Sequence, residues 1–298
     1  MPPSTNTARG VTLVVLSACC FGAMGMVVKL LANRIGVFEL AFFRSAIGLL
    51  LLSAYLRHAG ATPASDERKL LVARGLFGAL AMVSYFGALS MIPLAEAVIL
   101  NYTSPAFAIV FATAWLGERP SRSTFGFLVI ALVGVVVLMR PSFALSSASP
   151  WGYAAGLAAG LFSGGAYATV KRLTGTCSPW VIVWYFAAVT TVLALPPAVA
   201  TWVNPNPAEW GSLVALATLG TTGQLLMTAG FKHGAVSKTS IATIAVVVVA
   251  ALGGWIFWSE LPDPLGGVGI ALIVLAIVGI SRETAPAQPA IGDEGGTP

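Results

Sequence analysis

The sequence predicts an all-α integral membrane protein, with ten transmembrane helices arranged as two inverted five-helix repeats. Three observations predict it. Hydrophobic residues make up 57% of the chain and charged residues 9%, with a mean hydropathy of +0.88. A soluble domain carries roughly 25% charged residues, so this chain has too little polar surface to cover a water-facing globule and lipid must be its solvent. The apolar residues gather in runs near the ~20 residues that cross a bilayer. The runs also recur at one offset: "WLGERP" at 115–120 and "FWSELP" at 257–262 set Glu118 and Glu260 apart by 142 positions (260 − 118 = 142).

Span 1 covers 11–32; it ends in "GMVVKLLANR" with no small-residue cleavage site and is read as a retained helix, not a cleaved leader. Span 2, 38–56, follows the turn "NRIG" and opens on "ELAFFRS". Span 3, 71–91, follows a basic segment, and "MIPL" separates it from span 4, 94–116. "GERPSR" leads into span 5, 123–139, and the second half begins with span 6 at 152–170. "TGTCSP" precedes span 7, 180–203, and "NPNP" precedes span 8, 209–231. Span 9 covers 236–258, and "SELPDP" leads into span 10, 264–281. Each connection is short and rich in turn formers. Membrane strands are excluded because the runs are long and do not alternate.

Basic residues set the orientation. With the N-terminus in the cytoplasm, twelve of the sixteen Lys and Arg fall on inner segments, Arg74 among them; Arg34 and Arg140 fall outside, and Lys29 and Arg44 lie within spans. Both termini are therefore expected in the cytoplasm, the protein being a multi-pass component of the cytoplasmic membrane.

The 142-residue offset also relates Gly10 to Gly152, Gly22 to Gly164, Lys29 to Lys171 and Pro120 to Pro262. Residues 10–142 and 151–282 then form two copies of one unit, followed by a Pro/Gly-rich tail, 283–298, expected to be disordered. A unit of five spans has an odd number of crossings, so the second copy enters from the opposite side, as in inverted-repeat carriers. Exchanging the conformations of the halves would turn an outward-open state into an inward-open one. Glu118 and Glu260 stand at span boundaries and are expected to organise the turns that follow them.

Other classes fit less well. The net charge of +5 is scattered between spans instead of clustered, so no nucleic-acid partner is expected. Cys19, Cys20 and Cys177, with lone His58 and His233, give neither a disulfide framework nor metal spacing. No P-loop, HExxH, GxSxG or aspartyl pair is present, so no cofactor, direct ATP coupling or enzyme activity is expected. No ring of like charge or filter-like loop suggests a channel.

The chain resembles the EamA-type transporters of the drug/metabolite transporter superfamily. The resemblance rests on "ELAFFRS" (39–45 region), "ALSMIPLAEAVILNYTSPAF" (88–107) and "LGERPS" (116–121), with "GQLLMTAGFKHGAVSKTSI" (223–241) and "FWSELPDPLGGVGI" in the second half. It covers all but the tail and extends to the aromatic amino-acid exporters and S-adenosylmethionine-type carriers of that superfamily. It implies a secondary carrier for a small polar metabolite, an amino acid or related compound. Export of drugs or other organic solutes, and uniport or exchange without proton coupling, are the alternatives. The expected partners are a small-molecule solute and the lipid bilayer. The coupling partner is open between a proton and a counter-substrate, and the protein is expected as a monomer or weak dimer. The copies have diverged: Phe186 stands where Arg44 stands, Thr243 where Asn101 stands and Val247 where Pro105 stands.

A charge at mid-helix costs about 2.5–3.5 kcal/mol on insertion scales, so polar residues within spans are candidates by default. Arg44, Tyr85, Glu96, Asn101 and Tyr102, with Glu39 and Lys29 near the boundary, are expected to form one polar cluster toward the outer face. Arg44 would fix a carboxylate through its donor fork, or pair with Glu39 or Glu96 to join spans. Tyr167, Trp184 and Gln224 are expected nearer the cytoplasmic side, lining the lower cavity. Gly22 and Gly25 match Gly164 and Gly165 as flexing or close-packing points, and Pro105 is expected to kink span 4 beside Asn101.

Overall fold

The computed structural model describes residues 6–140, 149–259 and 263–283, and all regular elements among them are helical. The helices are α1 (Thr7–Leu31), α2 (Val37–His58), α3 (Arg68–Met91), α4 (Leu94–Asn101), α5 (Ser104–Leu116), α6 (Arg122–Met139), α7 (Pro150–Leu173), α8 (Pro179–Ala200), α9 (Pro207–His233), α10 (Val236–Thr239), α11 (Ala245–Trp258) and α12 (Pro264–Arg282), with a 3-10 turn at Ile241–Ile244. Glu260 and Pro262, and the tail beyond Glu283, lie outside the described residues.

Local chemistry starts these helices where it should. Pro150, Pro179, Pro207 and Pro264 occupy first-turn positions, where the missing N–H costs nothing. Ser121, Ser178, Asn206 and Asp263 cap with side-chain oxygens, and Asn206 with Glu209 completes a capping box. Helix α5 stops at Gly117, whose φ of 66° is the left-handed geometry of a helix terminus that glycine adopts without a Cβ clash. Ser259 stops α11 with φ 57°.

Nine stretches among the described residues are long and apolar enough to cross a membrane, with α4–α5 and α10–α11 each counted as one. Helix α7 is 24 residues long but is not among them, being rich in Gly and Ala. Large apolar side chains project outward around the molecule, among them Leu50, Val110, Val192, Val199, Ile256 and Phe257; a surface of that kind needs lipid.

Two expected spans are discontinuous. The fourth breaks at Tyr102–Thr103 between α4 and α5, and the ninth breaks through the 3-10 turn between α10 and α11. Pro105 falls in the first turn of α5, so the expected kink is a full break. Lacking an N–H, Pro105 leaves the Asn101 carbonyl without its helical donor. The main helix pairings are α1 with α9, α2 with α8, α3 with α7 and α6 with α12, with α4 and α5 lying on α7 and α11 on α1.

Candidate transport site

Helices α2, α3, α8 and α9 bring two arginines to one aromatic ring. The guanidinium carbon of Arg74 lies 4.5 Å from the Phe186 ring centroid and that of Arg44 lies 5.8 Å from it. These distances to a shared centroid bound the separation of the two guanidiniums at about 10 Å. Glycines make the approach feasible: a Cβ at Gly78 would lie 2.6 Å from both Arg74 Nη1 and the Phe186 ring, and one at Gly220 would lie 2.5 Å from Arg44 Nε.

Among the described residues neither arginine has a carboxylate partner. Arg74 is 2% exposed, and its Nη2 donates to Gln224 Oε1 at 3.1 Å. Its Nε and Nη1, and the Nε of Arg44, are buried without partners. Among the described residues no ion pair joins either guanidinium to an acid. Two unit charges no more than about 10 Å apart repel by roughly 1.7 kcal/mol or more at an effective dielectric of ~20. The ring faces of Phe186 offset part of that, at about 0.5–2 kcal/mol per cation. The arrangement is therefore unsatisfied in donors and in charge.

A cavity of about 140 Å³ opens beside Arg74, walled by Phe21, Ser163, Tyr167, Phe186, Gln224 and Met227. A much tighter space of about 10 Å³ lies against Arg44, with Ser45, Gly220 and Thr221, and shares Phe186 and Gln224 with the first. A larger depression of about 980 Å³ lies at the α2–α3 connection, lined by residues 64–70 with Ala73 and Arg172. It opens at the end of the bundle, with acids and bases side by side, so it lacks the enclosure of a through-bundle site. Among the described residues no three His, Cys, Asp or Glu gather as a metal site requires.

The expected outer cluster is not brought together around Arg44, although Tyr102 lies near Tyr85 and Tyr167. Glu96 is fully buried, and its Oε2 accepts the Tyr153 hydroxyl at 2.5 Å, joining α4 to α7. Glu39 is equally buried and accepts the backbone N–H of Val203 at 3.1 Å. Neither acid is the partner of Arg44. Tyr85 packs against Ala88, Ile92 and Ala97, and Tyr102 packs in the core around Ile109 and Ile241. Asn101 ends α4 at the break. Glu39 and Arg44 on α2, and Glu96 and Asn101 on α4, are each five residues apart, which sets them about 140° apart around the helix and on different faces.

In the second half, Gln224 and Tyr167 do line the cavity. Tyr167 also sits beside the side chains of Ser104 and Thr243, one at each broken span. Trp184 is not on the wall; its Nε1–H donates to Ser53 Oγ at 2.9 Å and ties α8 to α2. The glycines divide. A Cβ at Gly22 would lie 2.4 Å from Val249, one at Gly164 2.7 Å from Ala108 N and Phe107, and one at Gly165 2.9 Å from the Phe77 ring. Gly25 has nothing within 4 Å, so close packing does not account for it.

Sequence reasoning missed Arg74 and Glu118. Arg74 was counted with the inner loop charges although the third apolar run already contained it; that position was the available signal. Glu118 does not organise its own turn. Its carboxylate accepts the N–H groups of Val236 at 2.8 Å and Ser237 at 2.9 Å, capping α10 of the other half. Lys171 Nζ donates to Gly234 O at 2.7 Å beside it. At the same end Glu283 accepts from Ser121, Ser123 and Thr124 and pairs with Lys238. The first residue of the expected tail is thus held in place.

Comparison with known proteins places this chain in a family. The chain is 37% identical over 274 residues to the pseudopaline exporter CntI of Pseudomonas aeruginosa, covering 92% of this chain and 96% of the relative. It is 24% identical over 270 residues to an S-adenosylmethionine uptake transporter of Rickettsia bellii, covering 90% and 91%. A solved crystal structure superimposes with a TM-score of 0.76 at 21% identity, covering 92% of this chain and 95% of that one; that likeness speaks to the fold alone. The family model for EamA-like transporters matches twice, at residues 8–140 and 150–282. The chain therefore belongs to the EamA-like transporter family and is a membrane transporter.

Proposed function

We propose that this transporter is a secondary carrier for a small carboxylate-bearing metabolite, an amino acid or related compound, moved across the cytoplasmic membrane by alternating access. The observation that carries the reading is the pair of guanidiniums, that of Arg74 buried and that of Arg44 half-buried, with open donors beside an aromatic-walled cavity and, among the described residues, no acid paired with either. Arg44 and Arg74 anchor the anionic group, Gln224 hydrogen-bonds beside them, and Tyr167 and Phe186 form the walls. Tyr85, Glu96, Asn101, Tyr102 and Trp184 act from the surrounding packing.

The reading includes ten spans, α7 being the sixth, in two inverted repeats over 10–142 and 151–282. The helix pairings support it: the 142-residue offset converts the α1–α9 pair into α7–α3 and the α5–α7 pair into α11–α1, and returns α2–α8 and α6–α12 to themselves. The two breaks, and the left-handed stops at Gly117 and Ser259, fall at offset-related positions. Broken helices at matching positions of two repeats are where carriers of this design hold their substrates. Gly22 on Val249 and Gly164 on Phe107 are offset-related contacts, placed for one half to slide on the other. Both termini face the cytoplasm on the distribution of basic residues.

The relatives are named for different solutes and opposite directions, so neither feature passes to this chain by likeness. The test is counterflow of amino acids and related carboxylates in proteoliposomes containing the purified full chain. Saturable exchange of at least one of them is expected. Transport restricted to solutes without an anionic group would overturn the reading. An imposed pH gradient in the same vesicles separates proton coupling from exchange with a counter-substrate.

A further inference from the structure

We infer that the substrate carries two separated anionic groups, one for Arg44 and one for Arg74, with Gln224 between them. The inference rests on the proposal that the site takes a carboxylate and goes beyond it by fixing the number of anions.

Arginine has five N–H donors. A structural arginine in a bundle spends them on carbonyls or a carboxylate. Arg74, almost wholly buried, spends one, on Gln224, and its remaining nitrogens are without partners beside the cavity. Arg44 sits at the same aromatic ring, its Nε also without a partner. The spaces at the two arginines differ, and Gln224 and Phe186 line both. Gln224 gives its carbonyl oxygen to Arg74, which leaves its amide nitrogen to donate. The site thus presents two cationic ends joined by an amide donor and an aromatic face.

Charge balance selects among ligands. A zwitterionic monocarboxylate has no net charge and leaves the two positive charges in full. A simple monocarboxylate leaves one. Two anionic groups neutralise the site, and a neutral occluded complex crosses the low-dielectric interior at least cost. The aromatic wall suits the uncharged middle of such a molecule.

The test compares binding of straight-chain α,ω-dicarboxylates, from malonate to suberate, with that of their monoamides to the purified full chain in nanodiscs, read by calorimetry. At least one diacid is expected to bind tenfold or more tightly than its monoamide. Arg44→Gln and Arg74→Gln should each bring that ratio within twofold, while Arg74→Lys retains part of it. The wild-type comparison stands even if a variant does not fold. Equal binding of diacid and monoamide at every length, or a ratio that survives Arg74→Gln, overturns the inference but leaves a single-anion carrier intact. Failure of every diacid and every monoamide to bind overturns both this inference and the carboxylate reading beneath it.

Discussion

Replacing Glu118 should unlatch one end of the transporter. Its carboxylate takes two backbone N–H groups at the start of α10, from Val236 and Ser237, which are 0% and 3% exposed. First-turn N–H groups have no acceptor within their own helix. A hydrogen bond to a charged group contributes about 1.5–3 kcal/mol in favourable cases. Because Glu118 is itself half-buried, a combined loss of about 2 kcal/mol is the reasonable figure for Glu118→Ala. Glu118→Gln keeps one acceptor oxygen and should lose about 1 kcal/mol. If the cap exists only while this end is closed, 2 kcal/mol shifts the closed–open equilibrium by about 30-fold, since each 1.4 kcal/mol is tenfold. The assay is labelling of Ser163→Cys, on the cavity wall, in a background with Cys19, Cys20 and Cys177 replaced, using an impermeant maleimide from the Glu118 side. Labelling should accelerate by more than tenfold in the alanine variant and by several-fold in the glutamine variant. An unchanged rate in Glu118→Ala, or equal rates in the two variants, would refute the reasoning.

Three further predictions follow from the packing and the charges. Gly22→Ala should lower thermal stability by about 1–3 kcal/mol, because its Cβ would lie 2.4 Å from Val249, whereas Gly25→Ala, with open space around it, should not destabilise; equal unfolding temperatures for the two variants would contradict this. Trp184→Phe removes the hydrogen bond to Ser53 and should cost about 1 kcal/mol in detergent unfolding while leaving counterflow within twofold; a large loss of transport would return Trp184 to the site. Burial raises the Glu283 carboxyl, but the hydroxyls of Ser121, Ser123 and Thr124 and the nearby Lys238 ammonium outweigh it and hold it below the ordinary carboxylate range, while Arg140 holds Asp263 low. Depressed folded-state values mean that this stabilisation is complete above the ordinary carboxylate range and is lost as pH falls through and below it. Glu283→Gln should therefore flatten the acid side of the stability profile, and an unchanged acid slope would count against it.

Much of the fold was legible because its signals are local. Proline after Ser149, Ser178, Asn206 or Asp263 marks helix starts that agree with the apolar runs to within a few residues. The breaks in the fourth and ninth spans were less legible, since the polar runs at 101–105 and 237–240 are short and each sits inside a stretch apolar enough overall to read as one span; Pro105 hinted at only one of the breaks. The site was half legible. Arg44, Tyr167 and Gln224 stand out as polar groups in apolar runs and all border the enclosed spaces. Arg74 was hidden by its place near a basic segment, where linear counting cannot tell a loop charge from one turned into the bundle. Phe186 was noticed as a departure from symmetry, yet its role follows from that departure: residues related by the repeat meet where α2 pairs with α8, so Arg44 faces the residue that replaced its own counterpart. Glu118 was misread because its partners lie 118 and 119 residues away, beyond any local pattern.

Carboxylate transport anchored by Arg44 is tested most directly by counterflow of the best carboxylate substrate in vesicles bearing wild-type, Arg44→Lys or Arg44→Ala protein at matched, correctly folded levels. Leaving a bound carboxylate without its charged donor costs about 2–5 kcal/mol, so Arg44→Ala should lower kcat/KM by about 100-fold, with Arg44→Lys between it and wild type. Transport by Arg44→Ala within twofold of wild type would contradict the account.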